Sequence, residues 1–200
     1  MSVGSQTAGR RERNKQEKLD RIMAAAGELF AERGVDEVTT QQIADRADIG
    51  TGTLFLYAKS KGELLLLVQN AHYAAALERG RAGADAAPDE LDAVMAIVGE
   101  IVACNRVQVD NGRSYLREMA FGDAAEPRHA EALAIAEQTG EAIAAVLARD
   151  GRRKSADAAT MARVVSAIMF VSMAAGANAT ASIAKVLEQI RTQAAVLLRR

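Results

Sequence analysis

The chain has 200 residues, half of them hydrophobic and 26% charged, with a formal net charge of −1; this excludes a collagen-like, disulfide-rich or highly charged disordered chain and fits one or two globular domains. Two prolines, no tryptophan and 4% aromatic residues, in a chain rich in Ala, Leu, Glu and Arg, favour helices over a sheet. Cys104 is the only cysteine, so no intramolecular disulfide can form and a reducing cytoplasm is the expected compartment.

The first 17 residues read as a basic, flexible arm. Within residues 1–18, Arg10, Arg11, Arg13, Lys15 and Lys18 stand against Glu12 and Glu17. Such a block is either a solvated tail or a segment that approaches phosphates. It has no apolar run, so it does not read as a secretory signal. Leu19, Ile22, Met23, Ala26, Leu29 and Phe30 recur at helical spacing on one face. Gly34 follows and suits the left-handed end of that helix. Thr39 and Thr40 offer hydroxyls for a helix N-cap, and Gln41 to Ala47 reads as a two-turn helix. Asp48-Ile49-Gly50 reads as a turn, Thr51 to Tyr57 as a second short helix, and Lys59 to Gly62 as a break.

Leu64, Leu67, Val68, Ala71, Ala74 and Ala75 mark one face of a longer helix. Gly80, Gly83, Asp85 and Pro88 predict a linker over 80–89. Beyond it the pattern predicts five helices, near 90–108, 113–122, 127–149, 156–177 and 182–199. Breaks are expected at 110–112, 122–123, 150–151 and 176–178. The total is about nine helices and no convincing strand. The most apolar stretch, Val164 to Ala177, is too short to span a bilayer and reads as a buried helix.

Two short helices around a tight turn make a helix-turn-helix if their facing positions are apolar and small. Ile43 and Ala47 supply the first helix's inward face, and Ala44 allows the close crossing. Ile49 plugs the junction, and Leu54 is the inward residue of the second helix, with Tyr57 packing near its end. Thr51, Gly52, Thr53, Phe55 and Leu56 are left outward. Asp48 occupies the turn position that needs positive φ, which Asp tolerates better than most residues.

These residues resemble the TetR family of bacterial repressors. The matching text is Ile22 to Gly34, Val38-Thr39-Thr40, Ile43-Ala44, Ala47-Asp48-Ile49, Gly52-Thr53-Leu54-Phe55 with Tyr57, Lys59-Ser60-Lys61 and Glu63-Leu64. It covers residues 18–68, about fifteen positions agreeing in order and spacing. The departures are Asp48 for the usual turn glycine, Leu56 where a polar residue is common, and Ala58 where Phe is usual.

The resemblance implies an all-α protein with a DNA-binding domain over 18–62 and a regulatory, dimerising domain over 63–200. It implies a homodimer, paired through the last two helices, on near-palindromic double-stranded operator DNA. Thr40, Tyr57 and Lys61 are then phosphate contacts. Gln42 joins them at the interface, and Thr51, Gly52, Thr53, Phe55 and Leu56 face the groove, Phe55 suiting a thymine methyl. An apolar or amphipathic effector is expected in the second domain. Its candidate lining is Met95, Val98, Val102, Cys104, Tyr115, Met119, Phe121, Ile143, Leu147 and Met169, with Glu100 or Glu118 for a polar group.

The helix at 156–177 is apolar almost all round, which independently favours a helical interface. His72 and His129 have no neighbouring ligands, so no metal, cofactor or catalytic constellation is expected. Cys104 reads as inert packing, with a redox role left open. The rival reading is a helical interaction or scaffold protein that does not bind DNA.

Overall fold

The computed structural model describes residues 4–123, 125–151 and 153–199. Nine α-helices and one 3-10 turn account for the regular structure of these residues, with no strand among them. The chain divides into two compact units, Met1–Val68 and Gln69–Arg200. The division falls inside a helix rather than after Gly62.

The first unit holds α1 (Gly4–Arg33), α2 (Thr40–Arg46), α3 (Thr51–Leu54) and the opening turns of α4 (Lys61–Ala86). Residues 4–17, expected as an arm, are the first turns of α1, while residues 1–3 lie outside the described residues. The core of this unit contains the predicted face of α1, with Ile22, Ala26, Leu29 and Phe30 all buried. Val35 and Val38 are buried beside Ile43, Ala44, Leu54 and Leu64 to Leu67. Gly34 ends α1 at φ 80°, with its N–H bonded to the Phe30 carbonyl at 2.9 Å. A side chain there would force the unfavourable left-handed region, which glycine alone enters freely.

The second unit holds the rest of α4, α5 (Glu90–Asn105), α6 (Val109–Phe121), α7 (Pro127–Ala148), α8 (Ser155–Ala174), a 3-10 turn (Gly176–Asn178) and α9 (Ile183–Leu198). Helix α5 lies at its centre, packed on α6, α7, α8 and α9, and buries Val94, Ile97, Val98, Ile101 and Val102. The linker expected over 80–89 is absent, because α4 continues to Ala86. The reason is packing. A Cβ on Gly80 would stand 2.8 Å from the Ile97 Cα, and one on Gly83 would stand 3.3 Å from the Ala96 Cβ. These glycines let two helices approach rather than break one. Gly112 similarly belongs to α6, where a Cβ would meet the Asn105 carbonyl oxygen at 2.0 Å. The break expected at 110–112 therefore falls earlier, at 106–108.

Helix α8 is long and apolar enough, by composition, to cross a membrane, a property shared with buried core helices. Its Val165, Met169 and Met173 are buried, whereas Val164 and Val171 are exposed. On α9, Val186, Ile190 and Ala194 are buried while Ile183 and Val196 are exposed.

Candidate nucleic-acid interface

Helix α2 begins with a reciprocal cap. The Gln42 N–H donates to Thr39 Oγ1 at 3.2 Å, and the Thr39 N–H donates to Gln42 Oε1 at 2.9 Å. Two otherwise orphaned backbone donors are satisfied, which is the capping-box solution to a helix start. Gln42, expected to face DNA, thus spends its carbonyl oxygen on the cap and keeps only its NH₂ for a partner.

Ile43, Ala44, Ala47 and Leu54 are buried at the crossing of α2 and α3, as a helix-turn-helix requires. Asp48 takes φ 53°, so the turn residue does enter the left-handed region without being glycine. Its carboxylate lies 3.6 Å from the Arg21 guanidinium of α1, which offsets a negative charge near the exposed face. Ile49 is only partly buried, and its N–H closes the turn on the Ala44 carbonyl at 3.0 Å. Helix α3 is shorter than the Thr51 to Tyr57 segment predicted. Past Leu54 the chain continues in single turns, with the Tyr57 and Ala58 N–H groups bonded to the Leu54 carbonyl at 2.9 and 3.2 Å.

Of the outward set, Gly52, Phe55 and Leu56 are exposed, and Thr51 and Thr53 are partly so. Leu56 is 83% exposed, Phe55 is 45% exposed, and Gly52 is exposed with nothing within 4 Å of where a Cβ would stand. Thr40 and Thr53 are partly exposed. Thr51 donates its hydroxyl to Gln41 Oε1 at 2.6 Å, so its role is shared with Gln41, which no spacing rule singles out. Lys61 donates from Nζ to the Asp36 carbonyl at 3.1 Å. Tyr57 is partly buried and donates its hydroxyl to the Lys15 carbonyl at 3.4 Å. At 3.4 Å that bond is weak, and because the hydroxyl has a single proton, donating to a phosphate oxygen means giving it up. None of the outward side chains of α3 and the following turn, Thr51 to Leu56, carries a charge.

None of the ten effector candidates of the second unit lines either of two open grooves there. Val98, Val102, Tyr115, Ile143, Leu147 and Met169 are buried core, while Met95, Cys104 and Met119 are partly buried. Phe121 is 86% exposed, because it ends α6 with its ring turned to solvent just before Gly122. Those grooves lie elsewhere. One, about 390 Å³, lies between α4, α5 and α7 near Arg81, Ala84 and Ala142. The other, about 650 Å³, lies between α7 and α8 beside Ala136, Gly140, Ala144 and Ala159. Small side chains on the facing helices leave that space.

The sequence did not indicate the polar cluster inside this unit. Tyr73 and Tyr115 stack with ring centroids 4.4 Å apart. Asn105 Nδ2 donates to the Tyr73 oxygen at 2.7 Å and to the Gly112 carbonyl at 3.1 Å. Tyr115 donates to Asn70 Oδ1 at 3.0 Å, and Asn70 Nδ2 donates to the Arg128 carbonyl at 3.0 Å. Burial raises both phenols above their ordinary pKa, so both stay neutral, Tyr115 donating and Tyr73 accepting. Burial also pushes the Cys104 thiol up to about 11, which removes the thiolate a reactive cysteine needs. Glu100 is held by Arg79 at 2.7 Å and so already has a cation. Among the described residues no three His, Cys, Asp or Glu side chains converge as metal ligands.

Residues 22–68 match the family model for bacterial regulatory proteins, tetR family. No curated protein matches the sequence. The fold is shared with a TetR transcriptional regulator from Rhodococcus sp. RHA1, at 20% identity, a TM-score of 0.69, and 92% of this chain against 97% of that one. It is also shared with Thermus thermophilus FadR, a TetR-family repressor in complex with lauroyl-CoA, at 22% identity, a TM-score of 0.70, and 90% against 93% coverage. A TetR-family regulator from Streptomyces coelicolor matches at 21% identity, a TM-score of 0.66, and 92% against 95% coverage. Residues 22–68 thus match the tetR-family model over the helix-turn-helix, and the chain shares the fold of these TetR-family regulators over nine-tenths of its length.

Proposed function

We propose that this chain is a cytoplasmic, homodimeric transcriptional repressor that holds a near-palindromic operator and leaves it when a small molecule binds the second unit. The observation that carries this reading is the set of exposed, uncharged residues Gly52, Phe55 and Leu56 on a buried Ile43–Ala44–Ala47–Leu54 scaffold. A fold that needed Leu56 or Phe55 for its own core would not leave them in water, because burying such side chains stabilises by about 1.5–3 kcal/mol each. One reading head covers only a few base pairs, so two related by symmetry give useful affinity. The exposed apolar residues of α8 and α9, Val164, Val171, Ile183 and Val196, support pairing through the last two helices.

The effector reading draws on the Thermus thermophilus neighbour, whose complex holds an amphipathic acyl thioester. Of the two grooves, the one between α7 and α8 is the larger; five alanines and Gly140 line it together with Glu137, Glu141 and Arg163, which suits an apolar chain that carries a polar group. Helix α4 runs unbroken from Lys61 to Ala86, so its first turns belong to the reading unit and its later turns to the regulatory one. An effector that prefers one placement of the later turns by about 1–3 kcal/mol changes operator affinity by a typical allosteric amount. Footprinting upstream of the protein's own gene tests the reading: a protected symmetric site is expected, and no protection at low salt overturns it.

A further inference from the structure

The amphipathic face of α1 changes character along its length. At 100° per residue, Ile22, Ala25, Ala26 and Leu29 share a sector of about 100° with Arg11, Lys15 and Lys18. In the later half this face is apolar and buried. In the earlier half the same face is basic and exposed. The acidic neighbours Glu12, Glu17 and Asp20 fall outside the sector, and no ion pair among the described residues involves Arg11, Lys15 or Lys18. The 3.4 Å bond from the Tyr57 hydroxyl to the Lys15 carbonyl places this stretch against the end of the reading segment.

We infer that the Arg11–Lys15–Lys18 face is a second DNA contact, a phosphate clamp beside the reading head. This rests on the DNA-binding reading above and assigns it residues that α2, α3 and the turn do not supply. The partner is set by charge. The outward side chains of Thr51 to Leu56 carry none, so the reading segment has little with which to neutralise a backbone. Arg11 to Lys18 spans about 10 Å of helix axis at 1.5 Å per residue. One DNA strand presents a phosphate about every 3.4 Å along its axis, so three cations over that span have three phosphates to meet. The contact adds affinity without reading sequence, because phosphates carry no base information.

The test compares two doubly substituted proteins with equal charge change. Arg11→Gln/Lys15→Gln removes two cations from the face, while Arg10→Gln/Arg13→Gln removes two from elsewhere on the same turns. Binding is followed by fluorescence anisotropy against salt, on a mixed-sequence duplex and on the duplex that the wild-type protein enriches from a random library. The face variant should lower the slope of log K against log salt by about 1.8 per bound protomer, at about 0.9 per phosphate contact, with the base preference unchanged. The other variant should leave the slope unaltered, and circular dichroism should show both folded as the wild type. Equal slopes in the two variants, or a face variant as salt-sensitive as the wild type, overturns the clamp while leaving the reading head intact. A wild-type protein that binds neither duplex overturns both.

Discussion

Gly52 separates the needs of the fold from those of the partner. It is exposed in α3, its φ is not among the positive values of the chain, and a Cβ would meet nothing within 4 Å. Gly52→Ala therefore introduces no clash and reduces the entropy of the unfolded chain, which stabilises by about 0.4–1 kcal/mol. With about 2–4 °C per kcal/mol for a chain of this size, the melting transition of the first unit rises by about 1–4 °C. DNA affinity moves the other way. If backbone at Gly52 approaches the duplex, a side chain holds the helix off the groove and weakens neighbouring base contacts worth about 1–3 kcal/mol each. Gly52→Leu, a good helix former with a longer reach, should reduce operator affinity at least about tenfold, or 1.4 kcal/mol. Thermal unfolding by circular dichroism and anisotropy with labelled duplex read the two effects. A Gly52→Ala protein that melts lower than wild type, or a Gly52→Leu protein that binds as tightly, refutes the assigned surface.

Thr53→Ala and Tyr57→Phe each remove one hydroxyl and should weaken operator binding by about 0.5–1.5 kcal/mol, about two- to twelvefold, with the sedimentation behaviour unchanged. Unaltered affinity in both would reject their roles. Replacing thymine by uracil in the selected operator removes only methyl groups. If exposed Phe55 and Leu56 read them, each lost contact should cost about 0.8 kcal/mol, or about fourfold; a uracil duplex bound equally well would show that the tip reads something else. The Cys104 thiol, raised to about 11 by burial, should alkylate slowly at pH 8 and accelerate only as pH nears that value. Because its folded pKa lies above the ordinary 9.0, its contribution to stability is full below pH 9 and fades as pH rises from about 9 to 11. Rapid iodoacetamide labelling of the native protein at pH 7 would contradict this.

Local patterning carried much of the first unit. The apolar spacing of Ile22, Ala26 and Leu29, the Thr39 cap, Gly34 as a helix stop and the small buried Ala44 were all readable. Each depends on neighbours within a few residues, and their cost or gain is local. The start of α1 was not, since a charged run with weak periodicity is compatible with tail or helix. Gln42, placed at the DNA by resemblance, also stands three residues after Thr39, the capping-box spacing that the structure forms. In the second unit the spacing of Met and Ile could not distinguish a pocket wall from a core, because both demand apolar residues at helical intervals. Phe121 illustrates this, an apolar residue at a helix end that turned out to face solvent.

The order of helices, the caps around α2, the left-handed turn at Asp48 and the positions that lock α2 on α3 follow from the sequence by itself, since backbone sterics and short-range hydrogen bonds decide them. Tertiary structure alone decided that Gly80 and Gly112 serve close approach rather than a break, because the atoms they avoid belong to residues distant along the chain or on another helix. It likewise decided that Asn70, Tyr73, Asn105 and Tyr115 satisfy one another. Buried polar groups must find partners, and which partner is a question of where helices lie in space.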